Sequence, residues 1–345
     1  MKTKIKKALI IATILSLAGL VVSSIALYMV DFDFERFSTD KMVESTYVFT
    51  EEINLFGITT ETADVEISLY DGEGIKVLCR ESEKEKHNVY VNDDVLYIEV
   101  VKPLKWDENI EITNIFSIKN TKVEIYLPKS EYVSMSIETD AGDVTVPDGL
   151  VLESLVVKTD TGDCDVRASA RDVIWISTNT GDVWLENISA ETLKVTTNTG
   201  FVNLVNAKLS ETVLLESDTG DVQLQNVRTI SINAKSDTGD MVLSNIIITD
   251  ATKIETNTGD VKFLNSIGGA LDITTDTGDV TFYSSDATAI TIVTSTGDVS
   301  GTLLTGKMFS VATDTGRVNI PKSITGGKCE ITTDTGDINI AIGKQ

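Results

Sequence analysis

The sequence predicts an all-β fold, a parallel β-helix or solenoid of about eleven coils with an irregular N-terminal β cap and one N-terminal transmembrane helix. Three observations predict it. A Thr-Gly-Asp core recurs at near-constant spacing, apolar residues alternate at period two on both sides of each glycine, and residues 8–30 carry no charge.

The uncharged run comes first. As a helix rising about 1.5 Å per residue it reaches about 34 Å, enough to cross a bilayer. Lys2, Lys4, Lys6 and Lys7 precede it, whereas Asp31, Asp33 and Glu35 follow. The positive-inside rule therefore puts the N-terminus in the cytoplasm and everything after residue 30 outside a cell membrane crossed once. A cleaved signal peptide is the rival reading, with Ser24-Ile25-Ala26 as a small-x-small site. The length of the run favours a retained anchor. The expected organisation is a basic tip and anchor at 1–30, a linker at 31–44, a β cap at 45–130 and the solenoid at 131–345.

The cap region holds strand-like runs at 65–69, 75–78, 95–101 and 123–127 without the glycine period. Thr62-Ala63-Asp64-Val65 reads as a degenerate corner of the repeat. Such a cap covers the first coil, because a bare solenoid end is an open sheet edge.

The repeat glycines are Gly142, Gly162, Gly181, Gly200, Gly220, Gly239, Gly259, Gly278, Gly297, Gly316 and Gly336, spaced by 19 or 20 residues throughout. Apolar pairs such as Leu193/Val195 and Leu271/Ile273 precede the glycine, and Val183/Leu185 and Val222/Leu224 follow it. Alternation on both sides of a glycine means strand, corner, strand. Stacking coil on coil buries all the inner rows in one core, and eleven coils at about 4.8 Å make a rod on the order of 50 Å long. Asp or Asn two residues before the glycine suits a corner, where it can bond its own backbone. Asn187, Asn206, Asn226, Asn245 and Asn265 recur in phase with the inward row, so an inward asparagine ladder is expected at the second corner. After Ile340 too few residues remain for a cap, which makes the C-terminal coil an expected surface for self-association or for docking a partner.

A net charge of −24, from 53 acids against 29 bases, repels nucleic acid and anionic lipid and argues against nucleic-acid binding. The single histidine, His87, removes the commonest general base and metal ligand from most of the chain. Cys79, Cys164 and Cys329 are too widely spaced for a zinc knuckle or a redox pair and read as small buried hydrophobes. Asp-Thr-Gly triplets match the short aspartic-protease motif, but here they fall at regular corners and interchange with Asn-Thr-Gly.

Two acidic columns flank the glycine. Asp218, Asp237 and Asp276 stand before it and Asp221, Asp240 and Asp279 after it, all expected to face water. These are the candidate cation ligands, with Ca²⁺ as the one cofactor the chemistry suggests. Trp184 and Phe201 form a candidate exposed aromatic interaction patch. No catalytic residue is identified.

The basic-apolar anchor, the segment Val123-Glu124-Ile125-Tyr126-Leu127-Pro128 and the tandem Thr-Asp-Thr-Gly-Asp-Val coils resemble the bacterial "putative adhesin" β-strand-repeat family, a domain of unknown function. The resemblance covers about residues 45 to 345. It implies a Gram-positive envelope or envelope-stress protein with no catalytic residues to carry over. The function expected is therefore a non-catalytic, membrane-anchored envelope protein whose rod is an adhesion scaffold for another protein or a wall polymer. An accessory protein of an envelope-stress signalling complex is the alternative. A β-helix carbohydrate-active enzyme is a second, although no interval between glycines leaves room for the long loops that build such clefts.

Overall fold

The structure is a computed structural model that describes residues 42–82, 86–101 and 121–343, together with Gly19. Among the described residues, strands account for all the elements between Met42 and Ile342. No helix among the described residues is long and apolar enough to cross a membrane. The expected anchor at 8–30 lies outside them, Gly19 apart, as does most of the expected linker.

From Glu131 onward the strands pair in parallel with their counterparts one coil away, and their inner rows form a continuous core. The strand Val202–Thr219 shows how one coil turns. Val202 and Leu204 are buried, then Ala207 and Leu209, then Val213, Leu215 and Ser217. The inward phase slips at Asn206, which sits at φ 55°, and again after Leu209. With the glycine corner, each coil has three turns.

The first corner needs glycine for a steric reason. A Cβ on Gly239 would lie 2.1 Å from the carbonyl oxygen of Gly220 in the adjacent coil, and φ there is 151°. No L side chain fits so close to a neighbouring backbone. The second corner is held by Asn187, Asn206, Asn226, Asn245 and Asn265, all at φ between 49° and 58°. Asparagine tolerates this left-handed region better than most residues.

The third corner absorbs the variation in coil length. Lys208 pairs with Arg228, but Thr212 pairs with Ser231, so one residue is lost between them. The next coil regains it: Thr229 pairs with Ile248 and Ser231 with Ala251. Intervals of 19 and 20 residues thus coexist while the glycine and asparagine columns stay in line.

The N-terminal end comprises β1 (Met42–Phe49), β2 (Leu55–Thr60), β3 (Asp64–Tyr70), β4 (Ile75–Ser82), β5 (Lys86–Asn92), β6 (Val95–Val101), β7 (Lys122–Pro128), β8 (Glu131–Thr139) and β9 (Val144–Val146). Here parallel stacking begins before the first Thr-Gly-Asp motif. β2 lies between β8 and β6, and β3 between β9 and β7. Ala63 occupies the glycine column, with its carbonyl oxygen where a Gly142 Cβ would be. The stack then closes with antiparallel strands, β5 on β6, and β4 on β7 with β1 outermost.

The other end differs from the sequence expectation. Gly327–Thr335 pairs with Val280–Thr296 on one side and with Lys307–Thr315 on the other. Ile338–Ile342 is likewise held between Val299–Leu303 and Val318–Asn319. The C-terminal coil is therefore internal, and the coil of Gly316 ends the stack. This corrects the expectation of a C-terminal tip. Cys329, Ile331, Ile338 and Ile340 are buried, whereas Phe309, Val311 and Ile320 are covered only in part.

Candidate functional site

The repeated acids are used by the coil itself. Oδ1 of each aspartate after the glycine accepts the backbone N–H of its counterpart in the next coil. The bonds run Asp221 to Asp240 at 2.8 Å, Asp240 to Asp260 at 2.9 Å, Asp260 to Asp279 at 2.9 Å and Asp279 to Asp298 at 2.8 Å. The alternation of strands identified the column, but not this backbone role. Lys262 joins the ladder, its Nζ 2.9 Å from Asp260. Burial opposes ionisation of Asp260, yet the Asp279 N–H and Lys262 together hold its pKa below the usual carboxylate range.

In the other acidic column, Asp237 Oδ1 accepts the Asn257 amide at 3.3 Å, and Asn179 donates to Asp160 at 3.0 Å. These bonds run along the column between coils. Asp218, Asp237 and Asp276 are exposed, as are Asp221 and Asp279, with Asp240 half-buried.

The asparagine ladder exists, but it faces solvent. Asn206 donates to Asn187 at 3.1 Å, Asn226 to Asn206 at 3.0 Å and Asn245 to Asn226 at 3.2 Å, all exposed. The left-handed φ turns each side chain out and hands the inward position to its successor, such as Ile188 or Ile246. Beside the ladder, Arg228, Ile247 and Ile267 help to line a shallow groove of about 300 Å³.

Trp184 and Phe201 do meet. Their ring centroids lie 5.4 Å apart, edge to face, with Trp184 exposed and Phe201 half-buried. Phe201 interrupts the aspartate ladder: its own N–H bonds Asp182 at 2.7 Å, but it offers no oxygen to the next coil.

The one group of metal-ligating side chains that converges among the described residues lies elsewhere. Cys79 and Glu81 near the end of β4 meet His87 at the start of β5, with one potential ligand atom from each within 4.8 Å of the others. Glu81 Oε2 accepts the His87 N–H at 2.7 Å and contacts Nδ1 at 3.1 Å, and Oε1 accepts from Ser45. Sequence reasoning identified Cys79 and His87 only one at a time. Their approach depends on the end of β4 lying beside the start of β5, for which no motif exists.

All three cysteines are free and buried. Burial pushes each thiol up to about 12, so none is a ready nucleophile.

Toastrack DUF4097 matches residues 53–266 and 231–345, which together take in every coil and the cap from β2 onward. The chain belongs to the Toastrack DUF4097 family. No curated protein matches it. Three solved structures overlap this Toastrack chain broadly at low identity. A "putative cell adhesion protein" from Clostridium sporogenes is 15% identical, covering 88% of this chain and 100% of its own, with a TM-score of 0.22. A "putative adhesin" from Parabacteroides distasonis is 9% identical, covering 87% and 98%, with a TM-score of 0.37. One from Bacteroides fragilis is 13% identical, covering 88% and 98%, with a TM-score of 0.29. With scores this low, the function of this Toastrack chain has to be argued from its own residues.

Proposed function

We propose that this chain is a non-catalytic, membrane-anchored envelope protein outside the cytoplasm, whose solenoid is a rigid interaction scaffold that pairs with a second copy through its end coil. The charge asymmetry around residues 8–30 supports the anchor. The use of the recurrent acids and amides in the rod's own ladders supports a scaffold over a catalyst.

The observation that carries the reading is the uncovered coil at Lys307–Thr315 and Val318–Asn319. Each strand pairs on one side only among the described residues, and Met308, Val318 and Ile324 are exposed. Unpaired strand edges beside apolar side chains recruit another chain. At the opposite end β1 and β5 run antiparallel to their partners, so that end does not repeat the edge of the Lys307–Thr315 coil. Two free edges meeting about a two-fold axis close as a dimer.

The test is light scattering of the full-length chain in detergent across a concentration series, with Met308→Lys and Val318→Lys together as the comparison. A dimer that the substitutions convert to monomer is expected. A wild-type chain that remains monomeric at every concentration, or a variant that dimerises equally well, overturns the pairing.

A further inference from the structure

We propose that Cys79, Glu81 and His87 form a binding site for one Zn²⁺ ion, a metal staple that fastens β4 to β5 and closes the N-terminal end of the solenoid. The three side chains are buried, with residue exposures of 0%, 2% and 3%. A thiolate, an imidazole and a carboxylate are the donors zinc takes. The atoms stand within 4.8 Å of one another, somewhat wider than the roughly 3.3–3.8 Å edge of a zinc tetrahedron, so a small contraction completes the contacts.

Geometry and charge together point to a cation here. His87 Nδ1 lies 3.1 Å from Glu81 Oε2, so one ion can reach both atoms once it replaces the proton between them. Charge also balances, because a Cys79 thiolate and a Glu81 carboxylate together offset a divalent ion in a place where net charge is costly. Zinc displaces the thiol proton on binding and releases it to solvent, with no change of oxidation state.

Position gives the site its effect. β4 continues the run of strands β9, β3 and β7 and lies beneath β1, while β5 ends the run β8, β2 and β6. A metal between them ties these two runs together.

The experiment loads the full-length chain in detergent with Zn²⁺, removes free metal by dialysis and measures bound zinc by elemental analysis. Co²⁺ then serves as a spectroscopic probe of thiolate ligation. Close to one zinc per chain is expected, falling at least about tenfold in Cys79→Ser and in His87→Gln, with a thiolate-to-cobalt charge-transfer band in the wild type that Cys79→Ser lacks. Should a variant fail to fold, the wild-type cobalt spectrum decides alone. A wild-type chain that retains no zinc, a cobalt complex without the thiolate band, or folded variants that keep the metal would overturn the site.

Discussion

Arg317 grips Asp337 from one coil further out. Its Nη2 lies 2.7 Å and its Nε 3.1 Å from Asp337 Oδ2, while its backbone N–H donates to Oδ1 at 2.8 Å. Arg317 comes first in sequence but last in the stack. A carboxylate is needed on every coil that must accept an N–H from the next, and the terminal coil has no next coil. Arginine in that column therefore suits the end and would interrupt the ladder anywhere inside it.

The ladder predicts an acid sensitivity. The Arg317 guanidinium holds Asp337 below its ordinary pKa, and the Asp279 N–H with Lys262 does the same for Asp260 against the effect of burial. A depressed folded-state pKa contributes stability above the unfolded value of about 3.9, and that contribution disappears as pH falls through the folded value. Melting temperature measured from about pH 6 down to about pH 2 should drop most steeply below about pH 4, and Asp337→Asn should flatten part of that drop.

Gly239→Ala should cost about 3 kcal/mol or more, since its Cβ meets a backbone oxygen that cannot move without shifting a coil. Gly268→Ala is the internal control. Its Cβ would find nothing nearer than 3.8 Å, and a change within about 0.5 kcal/mol is expected. Urea denaturation of both variants checks the contrast.

Phe201 leaves the Asp221 column without an oxygen from the preceding coil. Phe201→Asp should restore that acceptor and stabilise the chain by about 1 kcal/mol, less what is lost from the Trp184 ring contact. Asp240→Ala, which removes the acceptor for the Asp260 N–H, should destabilise by a similar amount. Thermal melts should place Phe201→Asp above Asp240→Ala, because only the latter loses a ladder acceptor without gaining one.

Cys164 and Cys329 should resist a thiol-alkylating reagent at pH 8 in the native protein and react rapidly once it is unfolded, because burial holds both thiols near 12. Mass spectrometry after a timed pulse of reagent measures this directly.

How far the sequence could be read depended on whether a signal repeats. The glycines and alternating apolar pairs mark the coil and its inner rows, because one geometry must be satisfied at every level. The asparagines were visible as a column but misplaced as inward, since counting by twos passes over a residue at positive φ. The Trp184–Phe201 pair could be anticipated from neighbouring coils. The Cys79, Glu81 and His87 cluster could not, for it lies where the period is absent.

The sequence by itself determined that these segments would stack as parallel coils, because no single coil can bury its inner row alone. Only the tertiary structure decided their order at the far end. Every coil offers its neighbour the same backbone register, so local pattern does not distinguish Gly316 from Gly336 as the partner of Gly297. The burial of Ile331 and Ile338, together with the need for an Asp337 carboxylate between Asp298 and Arg317, places the C-terminal strands inside.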